Sequence, residues 1–235
     1  MIVLGIGCHP DDLEIQCGGT LAKYAKLGHK VFMCHIANGN MGHKIIMPDE
    51  LREIRDEEAR KAAKTLGAVE SISIDVGDLL VDSSNVEIRN KLNNVVREVK
   101  PDVIITHYPN DYMRDHMETS RLAFDVSFTC TIPHIDYDVP EHEKFPAVYY
   151  MDTLAGIDFN PTEYVDISDE IDVKLEANAC HESQVKWMLE HDHIDFLDFI
   201  KTCSKYRGLQ CGVPFAEGFI RCGAWPKFSA ERLLP

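Results

Sequence analysis

Ile2-Val3-Leu4-Gly5-Ile6-Gly7-Cys8-His9-Pro10-Asp11-Asp12 opens the chain. The first six residues are small or apolar, and the run is too short and too glycine-spaced for a helix. It reads as a buried strand of a parallel sheet. Pro10 cannot continue a ladder, so the strand ends where a histidine and two carboxylates arrive. The stretch Cys17-Gly18-Gly19-Thr20 through Gly28 then reads as a helix entry and an amphipathic helix stopped by glycine. His9, Asp11 and Asp12 therefore sit on the loop leaving the first strand, where open α/β sheets bind ligands. One imidazole and one carboxylate make two ligands of a hydrolytic zinc site. A neighbouring carboxylate can serve as base on a metal-bound water. Adjacent residues on an extended loop point different ways, so the two Asp are not expected to share one ion. The bland alternative is a turn in which Asp11 or Asp12 only caps the helix.

The limits set by composition agree with this. At 235 residues and 45% hydrophobic, the chain suits one α/β domain over 1–235. No run approaches the roughly 18 apolar residues of a membrane span. Nothing at the N-terminus reads as a secretory signal, and the eight Cys form no CxxC pair, so free thiols in the cytoplasm are expected. A net charge of −15 argues against nucleic acid and against an anionic membrane surface.

Further along, Lys30–Ile36 and Pro101–Thr106 read as apolar strands and Ser71–Asp75 as a short one between them. Pro48–Leu66 and Asn85–Val99 read as helices between them, with apolar residues at helical spacing. This alternation predicts a Rossmann-like, doubly wound, mostly parallel sheet of order 3-2-1-4-5, with a C-terminal helical and edge-strand extension. Strands one and four are then neighbours at the topological switch point. The polar run His107-Tyr108-Pro109-Asn110-Asp111-Tyr112-Met113-Arg114-Asp115-His116 would meet His9, Asp11 and Asp12 there. Asn38, on the loop after strand two, borders the same place. Arg55 flanks the apolar stripe of its helix and can aim at the site. Thr131–Lys144 reads as a surface segment over the site mouth, and Cys180–Gln184 as the continuation of the helix before it. Trp187 and Phe196 read as core or subunit contact. Val213–Ile220 reads as a loop and an edge strand.

His9-Pro10-Asp11-Asp12, followed by Glu14 and Cys17-Gly18-Gly19-Thr20, resembles the signature of the LmbE-like, or PIG-L, family of zinc-dependent N-acetylglucosaminyl deacetylases. The resemblance extends to Ala37-Asn38-Gly39, Arg55-Asp56-Glu57-Glu58-Ala59-Arg60, Asp115-His116 and Arg207-Gly208-Leu209-Gln210-Cys211-Gly212. It implies His9, Asp12 and His116 as ligands of Zn2+, or of another divalent ion such as Fe2+, and Asp11 as base. It implies an N-acetylated amino-sugar conjugate as substrate. Asn38, Arg55 and Asp115 are assigned to substrate binding, and a homo-oligomer is expected. One position departs: many family members carry a histidine three residues before the last ligand, where it helps stabilise the oxyanion. Here the residue is Met113, and a thioether donates no hydrogen bond. A substitute donor is expected, in the order His181, Tyr112, Arg114. Two rivals stand beside this reading. Gly5-Ile6-Gly7 begins a nucleotide-binding pattern, though Pro10 and the acids spoil it. A metal-dependent sugar-binding protein with weak or lost amidase activity is the other.

Overall fold

A computed structural model of the chain describes residues 1–135 and 139–225. The strands are β1 (Ile2–Gly7), β2 (Lys30–Ala37), β3 (Glu70–Val76), β4 (Val103–Thr106), β5 (Ala147–Met151), β6 (Glu163–Asp166) and β7 (Ala216–Arg221). The helices are α1 (Asp12–Lys26), α2 (Pro48–Thr65), α3 (Val86–Val99), α4 (Arg114–Thr129), α5 (Ile171–Ala179), α6 (Glu182–Asp192) and α7 (Phe196–Cys211). They form one seven-stranded sheet of order β3-β2-β1-β4-β5-β7-β6. The first five strands run parallel in the expected order, and β7 and β6 close the sheet antiparallel.

The central strands are apolar throughout because both faces are covered. On one face Leu4, Ile6, Ile36 and Ile104 pack with Leu92 and Val96 of α3 and Leu122 and Val126 of α4. On the other, Val3, Val31, Met33 and Ile105 pack with Leu13 and Leu21 of α1, Ala62 of α2 and Leu66 at the α2 C-cap. Gly5 and Gly7 lie beneath Leu13: a Cβ at either position would come within 3.0 or 2.9 Å of its side chain. These glycines let α1 press onto β1, a packing reason for a spacing that otherwise suggests a nucleotide fingerprint.

Four expectations are corrected. First, α1 begins at Asp12 and not near Cys17. Asp11 adopts φ 126°, which turns the chain from strand to helix with almost no loop. Second, the chain breaks at Cys180 and a new helix starts, with His181 at the N-cap of α6. Third, β7 is not an edge strand; it lies between β5 and β6. Fourth, the described part of 131–144 packs at the end of the sheet away from the C-terminal ends of the parallel strands. There His142 Nε2 bonds Pro101 O at 3.0 Å and Arg97 Nη1 donates to Val139 O at 2.8 Å. Residues 136–138 of that segment fall outside the described residues.

The insertion of β7 has a buried electrostatic partner set. Glu217 accepts N–H groups from Gly19 and Thr20 of α1 at 2.9 and 2.7 Å, and Lys174 Nζ of α5 lies 2.6 Å from its Oε1. Both side chains are 2% exposed. Removing one member of such a pair strands the other charge. Lys174→Met is expected to lower the unfolding free energy by about 3 kcal/mol, and adding Glu217→Gln should restore part of it. Chemical denaturation of the single and double variants checks this; a neutral single variant would show that the pair does not hold the sheet.

Candidate active site

The parallel register pairs Ile6 with Thr106 across β1 and β4. The next residues on each strand leave the sheet together, so His9 and His107 start from adjacent points. Asp11 stands at the N-cap of α1 and Asp12 is its first residue. Their side chains therefore diverge. Asp12 turns back to its own loop, where Oδ2 accepts the His9 N–H at 2.6 Å. Asp11 turns to α2, where Arg55 Nη2 donates to its Oδ2 at 2.8 Å. Arg55 also reaches the backbone oxygens of Pro10 and Gly39. It is buried, and it ties the β1, β2 and α2 segments to one carboxylate.

Around Asp12 three imidazoles converge. His116 Nε2 lies 3.3 Å from Asp12 Oδ1, and His107 Nε2 lies 3.2 Å from Oδ2. His9 Nδ1 is 3.4 Å from the same Oδ2. The His116 ring is aligned by Asp111, whose Oδ2 is 3.1 Å from Nδ1. That carboxylate accepts the Nδ1–H and turns Nε2 toward Asp12; Nε2 is buried and without a hydrogen-bond partner among the described residues. Asp115 does the same for His9, with Oδ2 3.5 Å from Nε2, while also accepting the Leu79 N–H at 2.7 Å. His107 Nε2 accepts the Cys8 N–H at 2.9 Å, so its proton is on Nδ1.

The electrostatics follow from this convergence. Burial acts to raise the Asp12 pKa, but His116 and His107 hold it well below the usual carboxylate range. Burial acts to lower the His116 pKa, yet Asp12 and Asp111 lift it to about 10. Burial and the neighbouring His116 push His107 down to about 4, which leaves it neutral near pH 7. Burial raises Asp11 to about 6 against the pull of Arg55. The carboxylates among these imidazoles thus favour positive charge beside Asp12, met here by the proton of His116, which a cation must displace to use Nε2. This donor set fits a divalent cation.

Two groups of donors lie within 4.8 Å of one another among the described residues: Asp12, His107 and His116, and Cys8, His9 and Asp12. Asp12 is common to both. The expected trio of His9, Asp12 and His116 is divided between them, and the His9 and His116 rings are 5.4 Å apart. His107 is the less suitable third ligand because a backbone N–H occupies its Nε2. Its ring instead stacks on His116 at 3.9 Å and supports that side chain.

His9, Asp12 and His116 open on a cavity of about 380 Å3, lined also by Asp11, Arg55, Gln16, Gln184 and Met113. Its apolar wall comes from Met41, Leu79, Leu154, Met188 and Phe196. The other sequence-derived residues lie elsewhere. Asn38 donates to Asp75 at 3.0 Å and holds the loop after β2, outside the cleft lining. Tyr112 is 53% exposed, and Arg114 is exposed too. His181 is fully buried, 3.1 Å from Glu14 Oε1. None of these three lines the cleft, so the donors that do are Arg55 and the amides of Gln16 and Gln184. Gln16 carries a sequence signal: Asp12, Ile15 and Gln16 share one helix face once α1 starts at Asp12. Gln184 lies in the first turn of α6, three residues after the N-cap His181. Phe196 belongs to the cleft and not only to the core.

Residues 4–127 match the family described as PIG-L, GlcNAc-PI de-N-acetylase. The chain is 28% identical to the diacetylchitobiose deacetylase of Thermococcus kodakarensis, over 92% of this chain and 81% of that one. Its fold is similar to the N,N'-diacetylchitobiose deacetylase of Pyrococcus horikoshii, with TM-score 0.82 and 26% identity, covering 94% of this chain and 83% of the other. It is also similar to GalB, the 4-carboxy-2-hydroxymuconate hydratase of Pseudomonas putida, with TM-score 0.84 and 99% of both chains covered. At 22% identity that likeness is one of fold.

Proposed function

Because the chain belongs to the PIG-L family of de-N-acetylases, we propose that it is a divalent-metal-dependent amidohydrolase that removes the N-acetyl group from an amino-sugar conjugate. The observation that carries this reading is the pairing of two differently treated carboxylates in one cleft. Asp12 is surrounded by imidazoles. Its neighbour Asp11 faces the same cleft, bonded only through one edge to Arg55. A divalent cation held by His9, Asp12 and His116 would supply the Lewis acidity that lowers the pKa of a water and polarises the acyl carbonyl.

The chain's own groups do the rest. Arg55 fixes Asp11 by a charge-assisted bond and favours its ionised form. Asp11 takes the proton of the attacking water and returns it to the leaving amine. Asp111 and Asp115 set the tautomers of His116 and His9. Gln16 and Gln184 offer amide groups to sugar hydroxyls. A neutral substrate suits this cleft. Among its described lining residues Arg55 is the one guanidinium or ammonium group, and it is already committed. A polycarboxylate would find no free partner of that kind.

A metal-dependent sugar-binding protein with weak or lost amidase activity is the second reading. It is favoured by one observation: Met113 lines the cleft, and none of His181, Tyr112 and Arg114 does. We extend the first reading to zinc as the ion, to a cytoplasmic setting and to a homo-oligomer. Metal analysis together with acetate release from a panel of N-acetylglucosamine conjugates tests it. Stoichiometric metal with turnover is expected. Metal and sugar binding without turnover would establish the second reading instead.

A further inference from the structure

Behind the reaction cleft lies a second cavity of about 290 Å3. Phe199, Ile200 and Cys203 of α7 form one wall and the turn Leu154–Gly156 another. The two cavities share Ile15, Gln16 and Leu154. The charged groups of the second are closed on each other. Lys174 pairs with Glu217 at 2.6 Å, and Arg207 forks Asp152 with contacts of 2.5 and 2.9 Å. A charged guest would have to break one of these buried pairs, whereas an apolar guest need not.

The junction is built with care for polarity and shape. Gln16 is 5% exposed, and its Oε1 has no hydrogen-bond partner among the described residues. Leu154 is held at the junction by a turn in which Ala155 adopts φ 58°, ψ 12°, a conformation unfavourable for an L-residue. The surroundings impose it. Arg207 anchors Asp152 on one side, and Thr153 Oγ1 donates to Ile157 O at 2.6 Å on the other.

Resting on the deacetylase reading of the cleft, we propose that this cavity continues the substrate site and receives an apolar substituent of the amino sugar, a group the size of phenyl or hexyl. The volume is about twice the roughly 150 Å3 that accepts benzene in another protein. The unpartnered Gln16 carbonyl accepts a hydroxyl of the sugar at the boundary, and the substituent passes Leu154 into the annex. Such a site, mostly apolar with a few placed polar groups, is the usual form of a small-molecule pocket. The substituent can be carried on the anomeric oxygen or on the N-acyl carbon chain, and the chemistry of recognition is the same.

Two homologous series separate these sources: methyl to hexyl glycosides of N-acetylglucosamine, and N-acetyl to N-octanoyl glucosamine. Each is followed by amine release and, independently, by calorimetric binding to the metal-loaded protein. One series is expected to rise about fourfold per buried methylene until the cavity fills. Cys203→Phe should flatten that slope by occupying the annex. If the variant does not fold, the series on the unaltered protein still decides. Flat binding and flat turnover in both series would overturn the annex, even while turnover of the methyl glycoside upheld the deacetylase reading. Rising affinity without any turnover would uphold the annex and remove the deacetylase.

Discussion

Replacing His116 by alanine is expected to abolish metal binding and reduce turnover to background. Asp111 accepts the His116 Nδ1–H and turns Nε2 toward Asp12, where it can bind a cation once its own proton is displaced. His107 is the other imidazole grouped with Asp12 and His116, and its Nε2 already accepts the Cys8 N–H. Alanine also strands Asp12 and Asp111, both buried, so the variant will lose stability as well. His116→Gln separates the two effects. Its amide N–H can still serve Asp111, while it lacks an imidazole nitrogen. Both variants should lack zinc by elemental analysis, and the glutamine variant should melt closer to the parent. Stoichiometric metal in His116→Gln would remove His116 from the ligand set and bring His107 forward.

Asp11→Asn should leave the metal in place and lower turnover about 10²- to 10⁴-fold, the range of a general base. Asparagine is isosteric, and its oxygen still accepts from Arg55 across the present 2.8 Å contact. The positive φ of Asp11 is also one that asparagine tolerates better than most residues. A folded protein with intact metal is therefore expected, lacking only a group that can take a proton. Loss of metal along with activity would make Asp11 a ligand. Retained turnover would give the proton transfer to another group in the cleft.

Much of this site was legible in the residues themselves. A fully apolar strand that stops at His9-Pro10-Asp11-Asp12 can only end at the C-terminal edge of a covered sheet. Alternating apolar strands and amphipathic helices leave few topologies once crossovers are right-handed. The order 3-2-1-4-5 and the meeting of the β1 and β4 loops follow from that, and so does the proximity of His9, Asp12 and His116. These are consequences of hydrophobic periodicity and chirality, both of which act locally.

What local rules did not reach depends on contacts far apart in the chain. The placement of β7 inside the sheet rests on Glu217 binding the backbone of Gly19 and Thr20, nearly two hundred residues away. The six residues of β7 do not by themselves name that partner. His181 was drawn into the core by Glu14 instead of into the cleft, because a buried carboxylate competes for the same imidazole. The state of His107 was decided by one backbone N–H from Cys8. Asp11 and Asp12 are adjacent letters of the same type. Only the helix start at Asp12, with Asp11 at φ 126°, sends one toward Arg55 and the other toward three imidazoles.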